Sequence, residues 1–299
     1  MRLDATWLAI YKELLDSHQP KAKSLDTFFR STARQVKPGL KKMKSLILSS
    51  LAGIALASSR TGPPSAGCLT VGSAAGKYST IQSAVDALST TSASSQCIFI
   101  TPGVYTENVL VPARTAQLSV YGYTTDTSGY AANKVTITGN KSQALGIGND
   151  ETGTLRVKSP NFRLYNVNVN NSYGKGSQAV ALSAYADSGY YGCALTGFQD
   201  TLLAQIGSQY YKKCLIQGAT DFIFGQHAPA WFEECDVRVL TASIGYVTGK
   251  LARAWFYVSL ACVHCSGSAP PDIRVFVFGC LEGLGCANAF RSIRPCIGD

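Results

Sequence analysis

Long apolar runs are missing from this sequence: no stretch reaches eighteen apolar residues, so we predict no transmembrane helix. Charged side chains are few, at 15%, and apolar stripes at helical spacing are almost absent, which disfavours a helical protein. The chain is instead rich in Gly (28) and Tyr (15). This composition suits an all-β secreted protein.

The excess of positive charge belongs mainly to one end of the chain. Residues 1–60 hold 11 Lys and Arg against 4 Asp and Glu, whereas residues 61–249 hold 11 of each. The formal net charge of +9 is therefore no indication of an acidic partner. We expect neither nucleic acid nor a membrane as a partner.

A secretory signal is predicted at an unusual position. Lysines before residue 46 lead into twelve mostly apolar residues, 46–57, that end in Ala-Leu-Ala, a pattern typical of a cleaved signal peptide. We assign the signal to residues 43–57, with translation beginning at Met43 and a mature chain beginning near Ser58. Residues 1–42 are then a non-native or disordered extension, and the protein is secreted and extracellular. A buried core helix is the alternative.

The ten cysteines are distributed in a way that argues against a disulfide framework. Five lie in the last 38 residues, and three others share a strict spacing. Cys262-Val-His264-Cys265 has no second ligand pair at a usual separation. We therefore predict no zinc site at this segment.

Residues of one type recur every 21 positions from residue 178. The columns are Cys193, Cys214 and Cys235; Gly197 and Gly218; Gln178 and Gln199; and Asp200 and Asp221. Short β-rich segments, one of them predicted over residues 162–169, follow one another without helices between them. This pattern favours a parallel β-helix over residues 66–249, with the cysteines as an internal ladder of free thiols. One short capping helix is predicted at Ser79–Leu88.

Stacking of coils would make neighbours of the two aspartates. Residues one coil apart lie roughly 4.8 Å apart, and carboxylates at this distance repel by roughly 3 kcal/mol at an effective dielectric of about 20. Their pKa values then separate by about 2 units, so that one carboxyl holds a proton while the other is ionised. The stacked glutamines would offer N–H donors to an oxyanion. By spacing alone, a catalytic pair, a calcium site and solvent-facing carboxylates all remain open.

Aromatic residues flank the pair and would give sugar rings a flat apolar surface. They are Phe198, Phe222, Phe224 and Trp231.

Three stretches carry a resemblance to a known family. They are residues 174–182 (Gly-Lys-Gly-Ser-Gln-Ala-Val-Ala-Leu), 197–202 (Gly-Phe-Gln-Asp-Thr-Leu) and 216–225 (Ile-Gln-Gly-Ala-Thr-Asp-Phe-Ile-Phe-Gly). They resemble the pectin methylesterases, and Gln226-His227-Ala with Trp231 resembles the fungal branch. The similarity runs through about residues 67–249.

The resemblance implies a right-handed parallel β-helix that hydrolyses the methyl esters of polygalacturonate without metal or cofactor. Carried over by position, Asp221 would attack the ester carbonyl. Asp200 would protonate the departing methanol and then activate water, and Gln178 and Gln199 would hold the oxyanion. We expect a monomer whose partner is the pectin polymer.

The resemblance ends near Gly249. Family members carry a Leu-Gly-Arg-Pro-Trp segment whose Arg pairs with the nucleophilic Asp, and here only residues 251–255 (Leu-Ala-Arg-Ala-Trp) echo it. We interpret residues 250–299 as a Cys-rich tail of frame-shifted or unspliced origin, with a divergent tail as the alternative. The solenoid would then be C-terminally truncated and its activity impaired.

Two other functions follow from the same residues. One is a catalytically inactive β-solenoid, either a relic or a polygalacturonate-binding protein, which the missing Arg-Trp segment favours. The other is a calcium-dependent pectate lyase, which is disfavoured because only two carboxylates stack.

Overall fold

The computed structural model describes residues 58–72, 77–242 and 245–251, together with the backbone of two further strands at residues 262–265 and 275–276. The extension predicted over residues 1–42 and the signal peptide predicted over residues 43–57 lie outside the described residues. No helix within the described ranges is long and apolar enough to cross a bilayer.

Three parallel sheets, here called A, B and C, build the body of the protein. Sheet A contains, in spatial order, β1 (Leu69–Val71), β2 (Gln96–Ile100), β5 (Leu118–Gly122), β8 (Phe162–Tyr165), β11 (Ser188–Tyr191), β14 (Gln209–Lys212) and β17 (Ala230–Glu233). Sheet B contains β3 (Gly103–Thr106), β6 (Val135–Gly139), β9 (Asn168–Asn171), β12 (Ala194–Thr196), β15 (Leu215–Gly218), β18 (Asp236–Val239) and β21 (Cys262–Cys265). Sheet C contains β4 (Val109–Val111), β7 (Leu155–Val157), β10 (Leu182–Ala184), β13 (Leu202–Ala204), β16 (Ile223–Gly225) and β20 (Thr248–Leu251). A separate parallel pair joins β19 (Gly245–Tyr246) to β22 (Val275–Phe276).

The chain visits the three sheets in a fixed order. From β8 to β18 each coil passes through sheet A, then sheet B, then sheet C. Each strand pairs in parallel with the strand one coil earlier; β12 and β15, for example, align Leu195 with Ile216. This is the predicted right-handed parallel β-helix, whose coils stack their inward columns on one another.

The turn between sheets A and B corrects one predicted strand. The segment expected to be continuous over residues 162–169 is divided into β8 and β9, because Asn166 has a left-handed backbone with φ 54°. Asn tolerates this conformation better than most residues do. The Asn166 side chain also donates to the Gly129 carbonyl at 2.9 Å, which holds the corner in place.

The predicted capping helix is confirmed, although it is shorter than expected. Helix α1 spans Ile81–Asp86, and the Thr80 side chain accepts a hydrogen bond from the Ser83 backbone N–H. The Glu107 carboxylate accepts from the backbone N–H of Ile81 at 2.9 Å and of Gln82 at 3.0 Å. A carboxylate at a helix N-terminus satisfies donors that have no partner inside the helix.

The interior is filled by ladders of like residues. Tyr190, Tyr211 and Phe232 lie on successive coils with ring centroids 4.8 Å and 4.7 Å apart. Beside them lie the three cysteines of the 21-residue column, all buried and free, as predicted. Offset stacking at this spacing is a favourable aromatic arrangement, so each coil is held to the next by ring contact as well as by backbone hydrogen bonds.

The expectation against disulfides is wrong at one position. Cys68 and Cys97 form a disulfide across 29 residues of sequence. The cause is strand register: β1 pairs with β2 so that Leu69 faces Ile98, and the two cysteines precede those residues by one position each. Neither cysteine belongs to the 21-residue columns, so the sequence period gave no sign of their proximity.

Backbone pairing continues beyond Gly249. Strand β20 pairs with β16, and β21 pairs with β18 so that Cys262 aligns with Asp236. The frame-shifted or divergent origin of residues 250–299 stays a prediction.

In the column of Gly197 and Gly218, glycine should be required because a larger side chain would not fit, and not only because its backbone is flexible. A Cβ at Gly218 would lie 2.3 Å from Cβ and 2.7 Å from Cγ of Phe222, a fully buried side chain. We expect Gly218→Ala to lower the free energy of unfolding by about 3 kcal/mol, the upper part of the range for overpacked cores. Urea denaturation followed by circular dichroism measures the change.

Gly67→Ala is the matched control, because a Cβ there meets nothing within 4 Å and should change stability by less than about 0.5 kcal/mol. Equal stability of the two variants would contradict the packing argument.

Candidate active site

The two aspartates occupy equivalent positions on successive coils. Asp200 lies in the turn before β13, and Asp221 lies in the turn before β16. The Asp200 backbone N–H donates to the Thr220 carbonyl at 3.0 Å, and Gln199 pairs with Thr220 in a parallel bridge. Since β13 and β16 then align Leu202 with Ile223, the 21-residue offset holds through the whole turn.

Both aspartates have left-handed backbones, with φ 64° at Asp200 and 47° at Asp221. Most residues with a side chain avoid this region, whereas Asp enters it at lower cost because its short polar side chain forms local hydrogen bonds. The two turns therefore share one backbone conformation, and both aspartates face the same cleft. Non-glycine residues in such conformations concentrate at functional sites.

A surface cleft of about 310 Å³ contains both carboxyl groups. Its described lining consists of Asn149, Tyr185, Asp200, Leu203, Gln205, Asp221, Phe224, Gly225, Gln226 and Gly249. Leu203 and Phe224 are paired neighbours on β13 and β16, so the floor of the cleft is the outer face of sheet C. Gly249 leaves room for the nucleophile candidate, because a Cβ there would lie 3.1 Å from Cβ of Asp221.

The predicted aromatic residues do not all reach this cleft. Phe224 lines it, as expected. Phe222 is instead fully buried in the core, because it lies in the turn before β16 and not on the outer face of that strand. Trp231 belongs to β17 of sheet A, away from the outer face of sheet C. The aromatic surface around the pair is therefore smaller than the sequence suggested, but Tyr185 adds to it.

The two carboxyl groups differ in depth and in proton affinity. Asp200 is only 6% exposed, and burial, followed by the charge of Asp221, raises the pKa of Asp200 to about 7. Asp221 is half-buried, and burial raises its pKa as well. The large shift falls on Asp200, so Asp200 is the group that keeps its proton to higher pH. The sequence argument had assigned this division to charge repulsion, whereas burial is the larger cause.

Sequence reasoning missed Asn149, which lies on the cleft wall. Asn149 opens helix α2 (Asn149–Thr152), and its Nδ2 lies 3.5 Å from Oδ2 of Asp200. The segment from Lys141 to Gly153 has no counterpart in the 21-residue columns, and no sequence signal placed it near the pair.

The next residue, Asp150, forms its hydrogen bonds with other side chains and not with the two aspartates. Its carboxylate accepts hydrogen bonds from Arg156 at 2.6 Å, from Lys158 at 2.7 Å and from Ser183 at 2.7 Å. Burial acts against the ionised form, but these three donors lower the pKa of Asp150 on balance.

The predicted glutamines lie on neighbouring coils beside the pair. The Ala179 backbone N–H donates to the Gln199 carbonyl at 3.2 Å, which aligns Gln178 with Gln199 as Asp200 aligns with Asp221. Both glutamines are half-buried. Their side chains are not among the described residues that line the cleft.

The faint echo of the Arg-Trp segment cannot be placed against the pair. Leu251 ends β20, and residues 252–255, which include Arg253 and Trp255, lie outside the described residues.

Fold and site together define a class of protein: a right-handed parallel β-helix that presents two carboxyl groups of unequal proton affinity on the outer face of one sheet. The sequence profile of the pectinesterase family matches residues 69–247. The chain belongs to that family, and the predicted resemblance is confirmed.

Fungal relatives support the predicted branch. The chain is 51% identical over 201 residues to a pectinesterase of Aspergillus niger, and the match covers 66% of this chain and 60% of that protein. It is 50% identical over 218 residues to a pectinesterase of Aspergillus aculeatus, covering 72% of this chain and 58% of that protein. The chain thus spans less than two thirds of the curated relatives it matches.

A solved structure shares the fold. The pectin methylesterase from Aspergillus niger in deglycosylated form superposes with a TM-score of 0.68 at 42% identity, over 74% of this chain and 73% of that chain.

Burial of Asp200 should make the protein less stable as pH rises. An unfolded Asp titrates near 3.9, whereas burial raises the pKa of folded Asp200 to about 7. The folded state therefore binds the proton more tightly, and the stability that this gives is present below pH 4 and is lost as pH rises to about 7. Asp200→Asn removes this dependence.

The free energy of unfolding of Asp200→Asn, relative to the unsubstituted protein, should therefore increase from pH 4 to pH 7 by up to about 3–4 kcal/mol. Urea titrations at a series of pH values measure it. Glu151→Gln, which removes an exposed carboxyl, is the control. A constant difference between Asp200→Asn and the unsubstituted protein would show that Asp200 ionises in the fold as freely as in water.

Proposed function

We propose that this protein hydrolyses the methyl esters of pectin to pectate and methanol, with Asp221 as the nucleophile and Asp200 as the acid and base. One observation carries the proposal: the two carboxyl groups lie in one cleft, and the pKa of the deeper group, Asp200, is raised to about 7. Family membership supplies the ester substrate.

The first half-reaction uses the two protonation states together. An oxygen of the Asp221 carboxylate attacks the carbonyl carbon of the methyl ester. As the bond from carbon to the methoxy oxygen breaks, Asp200 gives its proton to that oxygen and methanol departs. The product is an acyl-enzyme anhydride on Asp221, and Asp200 is left ionised. An acid poised near the working pH is suited to this transfer.

The second half-reaction restores the pair. Ionised Asp200 takes a proton from water, and the hydroxide formed attacks the substrate carbonyl of the anhydride. The bond to Asp221 breaks and the galacturonic acid is released, which then loses its proton to solvent; Asp221 is again ionised and Asp200 is protonated. Each step depends on the two groups having opposite states, which burial of Asp200 favours.

Gln178 and Gln199 are proposed as donors to the tetrahedral oxyanion. Their stacked positions beside the pair support this role, and their half-buried state leaves the side chains free to turn toward bound substrate. Loss of one such donor typically costs about 10²–10³ in rate.

The proposed substrate is the pectin polymer, bound along the outer face of sheet C. Phe224 and Tyr185, which both line the cleft, would contact the sugar rings. We further propose that the protein acts as a monomer outside the cell. The Cys68–Cys97 disulfide supports export, because disulfides persist in oxidising compartments.

Methanol release from methyl-esterified polygalacturonate tests the proposal. We expect activity from the full chain that Asp221→Asn abolishes, because an amide neither attacks nor leaves as a carboxylate does. Asp200→Asn should lower kcat by about 10²–10⁴, the usual contribution of general acid–base catalysis. Activity of the unsubstituted protein should decline as pH rises through about 7, where Asp200 loses its proton.

Asp187→Asn is the matched control, since Asp187 is an exposed aspartate on another turn of the solenoid and should leave the rate unchanged. Methanol release by Asp221→Asn equal to that of the control would refute the nucleophile assignment.

A further inference from the structure

We propose that Asn149 is a positioning residue for the proposed reaction: it fixes which oxygen of Asp200 carries the acidic proton, and Gln143 fixes the orientation of the Asn149 amide. This inference rests on the proposed function, and it adds two residues that neither the 21-residue columns nor the family motifs contain.

A short chain of side-chain contacts leads to the acid. Gln143 Nε2 donates to Oδ1 of Asn149 at 2.8 Å. With its oxygen engaged in this way, Asn149 presents Nδ2 to the other side, where Oδ2 of Asp200 lies 3.5 Å away. The donor on Gln143 thus decides the orientation of the amide, because a reversed amide would place its N–H groups against another donor.

The orientation of the amide determines the position of the proton. An amide N–H can only donate, so the Asp200 oxygen that faces it, Oδ2, must act as an acceptor. Protonated Asp200 has one carbonyl oxygen and one hydroxyl, and the carbonyl oxygen is the stronger acceptor of the two. The hydroxyl is therefore Oδ1, and its proton is directed away from Asn149. Without Asn149, the proton is free to occupy either oxygen of Asp200. In the protein molecules that carry it on Oδ2, the proton is not directed toward the methoxy oxygen of the departing methanol.

The segment that carries Asn149 is held rigidly at both ends. The Gln143 backbone N–H donates to the Gln178 carbonyl at 2.9 Å. At the other end Thr152, which is fully buried, donates to the Asn149 carbonyl at 2.7 Å and accepts from the Val180 backbone N–H at 3.0 Å. Side chains that position an acid act well only when their own rotamers and backbone are fixed.

Two charged groups stand near this contact. Asp221 faces Asp200 from the next coil and raises its pKa, and the hydrogen bond from Asn149 acts in the opposite direction. Asp150 follows Asn149 in sequence, but Arg156 and Lys158 hold its carboxylate. Removing Asn149 should therefore raise the pKa of Asp200 and move the alkaline limb of the rate profile to higher pH.

Asn149→Ala is the main test, with two measurements. The first is the pH dependence of kcat: the plateau should fall about three- to tenfold with KM little changed, since orientation of the acid is lost while substrate contacts remain. The alkaline limb should shift upward by about half a pH unit, as expected for a weak hydrogen bond to a charged group. The second is the titration of the Asp200 carboxyl carbon by NMR, which needs no activity and should shift in the same direction.

Gln143→Met tests the relay and replaces Asn149→Ala if that variant does not fold. It removes the Nε2 donor at similar side-chain size, so the Asn149 amide loses its fixed orientation and the same changes should follow at smaller size. In the Asn149→Ala background, Gln143→Met should add nothing, because Gln143 acts only through Asn149. Leu145→Ala, at an exposed uncharged residue of the same segment, is the control and should leave both measurements unchanged.

The outcomes separate this inference from the proposed function. An unchanged Asp200 titration in Asn149→Ala overturns the inference, whatever the activity. A shifted titration with an unchanged kcat plateau also overturns it, because the proton would then reach methanol equally well. If the unsubstituted protein releases no methanol, the proposed function fails, and the NMR titration still decides whether Asn149 holds Asp200.

Discussion

The hydrogen-bond register between coils is the constraint on which the rest of this structure depends. A donor such as the Asp200 N–H meets the Thr220 carbonyl one coil later, and from β11 to β18 the paired strands stack each residue on its counterpart 21 positions away. Like residues therefore meet like residues. Stacking favours rings and small apolar groups, but two aspartates forced into the same arrangement repel each other. The fold accommodates the pair because Asp200 is buried deeply enough to keep its proton.

The same register serves the core and the site through opposite faces of the strands. Inside, the rings of Tyr190 and Tyr211 stack with their centroids 4.8 Å apart, and the column of buried cysteine thiols lies beside them. Outside, Leu203 and Phe224 form the cleft floor. Side chains within a strand alternate between its two faces, whereas residues in the turn before a strand do not follow this alternation. Asp200 and Asp221 lie in such turns with left-handed backbones, and their carboxyl groups lie in the cleft above its floor.

Periodicity explains both what the sequence predicts and what it leaves out. A residue that recurs every 21 positions is predicted to lie beside its own repeat. The sequence therefore predicts that Asp200 lies beside Asp221 and that the cysteine thiols form a ladder. Residues outside the repeat carry no such information. Asn149 reaches the site from a segment of irregular length, and Cys68 meets Cys97 through the register of β1 and β2 before the columns begin. The division of the segment at residues 162–169 depends on one φ angle at Asn166, which its composition does not reveal. Depth was also hidden: spacing placed the two aspartates on successive coils but did not indicate their unequal burial.

Unequal burial is what turns a symmetric pair into two different reagents. Two carboxyl groups in identical surroundings would share one proton between them, and neither would be the acid in every molecule. Here Asp200 lies at 6% exposure while Asp221 lies nearer the solvent, so the proton belongs to Asp200. The asymmetry has to come from outside the repeat, because the repeat treats both residues alike. The segment that carries Asn149 contacts Asp200 at 3.5 Å and so contributes to this difference. An irregular insertion on a regular solenoid thus gives each stacked aspartate a distinct chemical state.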